Sequence, residues 1–549
     1  MDGQTLTLIA TPLAPFLAGM LAFARLVPNP MPLVALSAVP AIVAGLAASG
    51  DGAILSGLLF GTVLGLPAPL APLLLALAVL WAAAALHAHG TMAADRQGQR
   101  FAACYAFAMA GSLGVMVAQD LVAFYTSFSV LSLAAYGMVV HRETPLALRA
   151  ARLYIAFAMV GELAFFAAIA LIQAEQGTRL LPTASAVSPP GPAVWLMLVG
   201  FGIKAGLLPL HLWLPLAHPA APVPASAVLS GATLKAGLIG LATFAPPASP
   251  VPENFETAMT WLGLAGAFGA ALYGSMQRDP KVVLAYSSVS QMGLALAFFG
   301  AARGAGLPHE AYLGALTLFA VHHALAKGAL FLVVEPGLPR RAALAIAAVA
   351  GLALTGAPLT AGYLSKSAFA AGLPETLAAL FTAASFGTAA LVARTLWLLH
   401  GKLAGSGFEI WRAMGCAVLA AGVLATPWLW DGAAALTGPR AAAVALLPAV
   451  VLLMIGWAVL RAGLRAPDWP AGDLVLPAER VLRGALVLWR GAVARLARLP
   501  GMLGLQPRPG GAATRVEIVE DRDERAMWTG AGVGTVVVLI GIVWAVLTV

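Results

Sequence analysis

Five charged residues stand where the surrounding sequence gives them no water: Glu162, Lys204, Lys235, Lys327 and Lys366. A lysine or carboxylate at the centre of a membrane span costs about 2.5–3.5 kcal/mol on insertion scales, so it faces a bundle interior or a wet cavity. Lys204 closes an apolar run and is followed by Pro209, Pro215, Pro219, Pro222 and Pro224. These break the helix and free carbonyls that only protein or water can satisfy, a pattern found at ion sites in discontinuous helices. His211 and His218 fall in the same broken stretch, and Lys235 follows in SGATLKAGL, with Ser226, Ser230 and Thr233 able to support water. Lys327 has His323 one turn before it on the same helical face and His322 beside that. Lys366 comes after the break in GAPLTAGYLSK, and Glu162 is the one acid well inside an apolar run, IAFAMVGELAFFAAIAL.

The chemistry open to such a set is proton transfer. Histidine is the side chain whose unperturbed pKa lies near neutrality. Burial raises the pKa of a carboxyl and lowers that of a lysine, while pairing the two opposes both shifts, so moving one partner loads or releases a proton. A Lys, His, Lys series ending at a carboxyl or at an opposite face is what lateral conduction through a bilayer requires. The plainer alternatives are a lysine snorkelling to an interface and a buried histidine bonded to a backbone carbonyl.

The elements that must position these residues follow from composition. Of 549 residues, 61% are apolar and 10% charged, and the mean hydropathy is +0.90. Soluble proteins carry roughly 25% charged residues, so a soluble domain is excluded. At roughly 20 apolar residues per crossing the expectation is an all-α polytopic membrane protein with about 14–16 transmembrane helices. Apolar runs place them near 5–25, 31–48, 68–88, 101–119, 121–140, 150–173, 193–214, 223–244, 257–276, 283–301, 310–334, 342–357, 377–399, 412–430, 441–461 and 527–549. The first segment lacks the basic start of a signal peptide and reads as a membrane helix. The Gly-rich 53–66 stretch reads as a re-entrant or interfacial piece, and 358–376 is ambiguous.

Alternate loops hold Arg25; Arg96 and Arg100; Arg142, Arg149 and Arg152; Arg278 and Lys281; Arg340 and Arg341; Lys402 and Arg412. The intervening loops hold little beyond Arg179, Arg303 and Arg440. This asymmetry puts the first set in the cytoplasm and the N-terminus outside the inner (cytoplasmic) membrane. The formal net charge of +8 is thereby a topology marker and calls for no nucleic acid. Cys104 and Cys416, both in apolar runs, cannot build a Cys-ligated metal or iron–sulfur site, so no cofactor or metal is expected on this chain. The organisation expected is N-terminal membrane helices over 1–100, two repeats over 101–245 and 246–410, and C-terminal core helices over 411–461. An amphipathic segment on the cytoplasmic side (462–526) and a terminal membrane helix (527–549) follow. The amphipathic reading rests on AERVLRGALVLWRGAVARLARL, with five arginines among Leu, Val and Trp. A solvated linker explains that segment equally well.

Five ordered stretches resemble a known family: Lys204 to Pro224, SGATLKAGL, RDPKVVLAYSSVSQMG at 278–293, HHALAKGALFL at 322–332 and LTAGYLSK ending at Lys366. Over about 70–440 the chain is similar to the antiporter-like subunits of respiratory complex I and of Mrp sodium/proton antiporters. Related subunits occur in group 4 hydrogenases, formate hydrogenlyases and DAB-type inorganic-carbon uptake. The resemblance implies about fourteen core helices with two inverted five-helix repeats, each containing a broken helix, and a buried polar chain across the membrane plane. By the same resemblance Lys204 is the lysine of the first broken helix, Lys235 the connecting lysine, His323 and Lys327 the central link, and Lys366 the terminal residue. The implied function is proton translocation within a multisubunit complex, Mrp-type or redox-driven. The implied partners are other membrane subunits, the lipid bilayer, protons and, as a second ion, sodium.

One departure stands out. In DLVAFYTSFSVLSLAAYGMVV, which begins at Asp120, the family's glutamate partner of the first lysine is replaced, with Phe128 and Ser129 at those positions. Either Glu162, one helix later, supplies the counter-charge to Lys204, or the input half is incomplete. The competing functions are a subunit energising inorganic-carbon uptake and a transport-inactive scaffold. An intramembrane enzyme lacks metal-ligand spacing, and no Rossmann or P-loop fingerprint is present.

Overall fold

The computed structural model describes residues 3–47, 53–55, 61–181, 188–247, 249–403 and 407–430. The helices expected at 441–461 and 527–549 and the segment 462–526 lie outside the described residues. Among those described, ten helices are long and apolar enough to cross a membrane. The N-terminal group is α1 (Gly3–Phe23), α2 (Met31–Leu36), α3 (Val39–Ala47) and α4 (Ala71–Met92). Next come α5 (Gly98–Val117), α6 (Leu121–Val140), α7 (Pro145–Gln176), α8 (Gly191–Ala205) and α9 (Leu214–Ala220). A single span follows in two pieces, α10 (Val223–Val228) and α11 (Leu234–Phe244), joined by a π-helical turn, Leu229–Thr233. The later helices are α12 (Phe255–Ser275), α13 (Pro280–Gly304), α14 (His309–Leu332), α15 (Arg340–Thr355), α16 (Ala361–Ala370), α17 (Glu375–Lys402) and α18 (Ile410–Ala425).

Polar side chains mark where several of these helices start. Asp120 accepts the N–H groups of Val122 and Ala123 at the head of α6, and Thr144, Asp279 and Thr360 cap α7, α13 and α16 in the same manner. Each satisfies N–H groups that the first helical turn leaves without partners. Two breaks end on glycine in the left-handed region: α8 at Gly206 (φ 77°) and α15 at Gly356 (φ 83°). A side chain is strained in that conformation, so glycine fits the helix stop. The ambiguous 358–376 stretch is the second break followed by the short helix α16.

The centre of the bundle is α13 and α14, whose hydrophobic windows are buried along their whole length, with α10–α11 beside them. Small residues let the helices approach: a Cβ on Gly293 of α13 would meet the Gly263 carbonyl of α12 at 2.6 Å. This is how helices pack where lipid removes the hydrophobic drive. Among the described residues of the 53–66 stretch, expected as a re-entrant or interfacial piece, Ala53–Leu55 (β1) and Thr62–Leu64 (β2) form paired antiparallel strands in place of helix. A short apolar run does not by itself distinguish the two.

The basic loops gather on one face. Arg100 pairs with Glu143 at 2.7 Å, His141 meets Asp95 at 3.1 Å, Arg412 donates to the Pro336 and Gly90 carbonyls, and His89 meets Asn29. The hairpin and the 118–120 and 178–181 segments meet through the Leu64–Ala118 and Asp120–Leu180 bridges. Arg303, expected in a loop, is a correction. It belongs to α13, is 5% exposed, and donates to the carbonyls of Ala245, Pro246 and Ser249.

Candidate functional site

The first cluster joins α6, α7 and α8. Ser129 donates to Glu162 Oε2 at 2.5 Å, and Ser132, one turn along α6, donates to Glu162 Oε1 at 2.5 Å. Lys204 Nζ in turn donates to the Ser132 hydroxyl at 2.5 Å. The two legs through Ser132 place ammonium and carboxylate no more than about 5 Å apart. Lys204 also lies over the Phe128 ring at 4.9 Å, an aromatic face that attracts a cation. Trp213 Nε1 donates to the Ile203 carbonyl at 2.9 Å, satisfying backbone near the end of α8. Beside the amine, Tyr154, Ala158, Ile203 and Trp213 line a cavity of about 10 Å³, close to what one water needs.

The second cluster is central. Lys235 Nζ donates to the Ser230 carbonyl at 3.0 Å within the π-helical turn and meets His323 Nδ1 at 2.5 Å. A π turn mid-span is a frequent mark of a functional position. Lys327 Nζ goes elsewhere, to the Leu284 carbonyl of α13 at 3.0 Å. Ser288 also donates to Leu284 O at 3.0 Å, and its hydroxyl meets that of Ser230 at 2.7 Å. Lys327 and Ser288 thus share the Leu284 carbonyl as acceptor, and Ser288 meets the hydroxyl of Ser230, whose carbonyl accepts from Lys235. His323 and Lys327 share one face of α14, and the imidazole reaches across to Lys235 on α11.

The third cluster ends the series. His322 Nδ1 meets Ser365 at 3.4 Å, and Lys366 Nζ donates to Thr355 O and to the Ser385 hydroxyl, both at 3.0 Å. Gly356 leaves room for the lysine stem, since a Cβ there would meet Lys366 Cδ at 3.0 Å. Gly362 brings α16 onto α15 so closely that a Cβ would fall 1.7 Å from the Ala353 carbonyl.

The other sequence candidates are dispersed. Asp120 caps α6 and accepts the Val63 N–H at 2.8 Å, which ties β2 to that helix start. His211 is buried in the turn before α9. His218 on α9 is fully buried, stacks on Phe331 at 4.6 Å, and has neither ring nitrogen hydrogen-bonded among the described residues. Sequence reasoning missed Ser132, Ser288 and Ser385, because serine in a membrane helix is too ordinary to signal a relay. It also put Lys281 in a loop. The structure corrects this: Lys281 lies in the first turn of α13, 6% exposed, and donates to the Ala221 carbonyl at the α9–α10 junction. The Pro-rich stretch around Pro222 was the signal that a free carbonyl waits there.

Electrostatics at the basic face distinguish its ionisable groups. Burial pushes the Glu335 carboxyl up, against the opposing pull of Arg412, Arg142, Lys281 and Lys402. Burial also holds His141 below the ordinary imidazole range despite its bond to Asp95. For Asp95 burial acts upward, but the Gln97 N–H and His141 outweigh it and keep the carboxyl low.

A family model described as NADH:quinone oxidoreductase/Mrp antiporter, TM, matches residues 118–398, more than half of the 549-residue chain. The chain belongs to this family. Hydrogenase-4 component B of Escherichia coli (strain K12) is 32% identical over 236 residues, 41% of this chain and 35% of that protein. The chain thus spans little more than a third of that relative's own length. In the solved Mrp complex from Dietzia sp. DQ12-45-1b, one chain matches with a TM-score of 0.69 at 20% identity, over 91% of this chain and 61% of that one. A chain of the archaeal membrane-bound sulfane sulfur reductase matches with a TM-score of 0.67 at 21% identity, over 91% of this chain and 97% of that one. These likenesses show the fold of a polytopic antiporter-type membrane subunit, in agreement with the sequence expectation.

Proposed function

We propose that this family member is an ion-translocating membrane subunit of a multisubunit complex, conducting protons along the buried series Glu162, Lys204, Lys235, His322, His323, Lys327 and Lys366. The observation that carries the proposal is the Ser132 bridge between Lys204 and Glu162. A scaffold that had lost its input charge would have no reason to keep a carboxylate and an ammonium facing each other through one hydroxyl. Taking two charges out of water costs several kcal/mol each after relaxation. Glu162 fills the role that the missing glutamate at Ser129 leaves open, and Ser129 becomes a hydrogen-bond donor to it. A bound proton moved at one cluster changes the field at the next, because attraction and repulsion act strongly where water is scarce.

Two lines of support bear on context. The family's matched members include subunits of hydrogenase, NADH-quinone oxidoreductase and Na(+)/H(+) antiporter complexes, which favours other membrane subunits as partners. The basic face favours the cytoplasmic side of the inner membrane, with the N-terminus of α1 outside. The two broken helices, α8–α9 and α15–α16, favour a division into halves at 101–245 and 246–410 related by inversion. Sodium is the second ion to test.

The experiment is proton flux into vesicles bearing the assembled complex with Glu162→Gln. Loss of flux with assembly intact is expected. Wild-type flux would remove Glu162 from the path and the proposal with it. A parallel sodium-flux measurement assigns the second ion.

A further inference from the structure

Arg303 is a buried ionisable group that the lateral series does not use. It occupies the last turn of α13, and its guanidinium reaches the ends of two other helices. Nη1 donates to Ala245 O at 2.7 Å and to Pro246 O, and Nη2 donates to Ser249 O at 2.8 Å. Nε faces Glu256 Oε1 at 3.7 Å, in the first turn of α12. The segment that accepts these bonds follows α11 directly and contains Pro246, Pro247 and Pro250, which carry no N–H. Carbonyls that a helix end leaves without donors need them from elsewhere, and a cation there complements the helix dipole. A guanidinium suits the place because its rigid fork spans several acceptors at once.

The helix held in this way carries Lys235, ten residues before Ala245 and about 15 Å along the axis. Arg303 also lies over the Phe299 ring at 5.9 Å, and that ring packs against Tyr312 of α14 at 6.1 Å. His323 follows Tyr312 by eleven residues, about 16.5 Å along α14. Arg303 and its neighbours therefore tie α11 and α14 together at one end. About three turns away the same two helices bring Lys235 Nζ and His323 Nδ1 to 2.5 Å. Sideways movement of α11 is blocked by α8: a Cβ on Gly237 would meet Phe201 O at 2.5 Å, and one on Gly240 would meet the Phe201 ring at 2.5 Å. Beyond Lys235 the helix passes into the π-helical turn Leu229–Thr233, which interrupts the regular α-helical bonding on that side. Sliding along the axis is the freedom left for the Arg303 end to remove. A slip of one residue, about 1.5 Å, is large against a 2.5 Å contact.

We infer that Arg303 is a positioning residue for the Lys235–His323 pair: by holding the end of α11 against α13 and α14, it fixes the axial register at which the amine meets the imidazole. Its consequence for transport rests on the proposed proton-conducting function, whereas the register does not. Arg303 acts through α11 and takes no part in proton transfer, since a guanidinium keeps its proton.

The test uses the full chain in its assembled complex, in vesicles, with Arg303→Met. One readout is the ring-nitrogen NMR signals of His323, assigned by their loss in His323→Gln; the other is proton flux normalised to assembled complex. The His323 Nδ1 signal should leave its hydrogen-bonded position, and flux should fall by about tenfold or more, as expected for a lost bond to a charged group. Combining Arg303→Met with His323→Gln should lower flux no further than His323→Gln alone, because both changes remove one contact. An unmoved His323 signal, or fold-losses that multiply in the double variant, overturns the positioning role. Should Glu162→Gln leave flux at the wild-type level while Arg303→Met still displaces the His323 signal, proton conduction fails and the register stands. Should Arg303→Met fail to assemble, Arg303→Lys, which keeps the cation and loses the fork, is read against the same outcomes.

Discussion

Ser132 is the narrowest point of the first cluster, and its removal has a calculable effect. Its hydroxyl carries one proton and has two acceptors to choose from, Glu162 Oε1 at 2.5 Å and Phe128 O at 3.0 Å, while it accepts from Lys204 at 2.5 Å. Ser132→Ala deletes two hydrogen bonds to charged groups, each contributing about 1.5–3 kcal/mol. Ser129 still holds Glu162 Oε2 at 2.5 Å. The cavity of about 10 Å³ beside Lys204 is close to what one water needs, and a water there restores part of the link. The net loss is then about one charged hydrogen bond, which corresponds to roughly a 10- to 150-fold fall in proton flux if the step limits transport. Ser132→Thr keeps the hydroxyl on a β-branched side chain and should stay within a few-fold of wild type. Flux is read with a pH-sensitive dye in vesicles, normalised to assembled complex. A Ser132→Ala flux within twofold of wild type, or a threonine variant as impaired as the alanine one, would refute the relay.

Two further expectations concern stability. Gly362→Ala forces a methyl onto the Ala353 carbonyl, where a Cβ would lie at 1.7 Å, so α16 must shift at a cost of about 3 kcal/mol or more; an unchanged thermal midpoint in detergent would contradict that close approach. The Asp95–His141 pair predicts acid sensitivity, because both groups are held below their ordinary values of 3.8 and 6.5. A group with a depressed folded-state pKa contributes stability that is present above its unfolded value and lost as pH falls. The thermal midpoint should therefore decline as pH drops below about 6.5 and again below about 3.8; a His141→Gln protein with the same decline across the first range would exclude His141 as its source.

Much of the bundle was legible because a membrane span has a length and a composition. The 121–140 and 223–244 runs coincide with the helices that form, and Pro and Gly placed both breaks. Charges in apolar runs marked the polar residues for the same reason, since burial without a partner is too costly to occur idly. What stayed hidden depends on contacts between helices. The i, i+4 spacing shows that His323 and Lys327 share a face, but it does not set the direction of the imidazole, which turns to Lys235. Lys281 follows Asp279 and Pro280, the signature of a helix start, and so resembled a loop charge; its burial depends on Ala221 arriving from another helix. Serines 132 and 288 acquire meaning only from the side chains that other helices bring against them.

In the proposed path, charge moves along the buried series and starts at the relocated pair of Glu162 and Lys204. At a separation of about 5 Å and an effective dielectric near 20, their attraction is roughly 3 kcal/mol, two orders of magnitude in any equilibrium it drives. The decisive measurement is the proton flux of the assembled complex in vesicles, wild type against Glu162→Gln. A fall of about a hundredfold with assembly unchanged is expected; flux equal to wild type would exclude the pair as the start of the path.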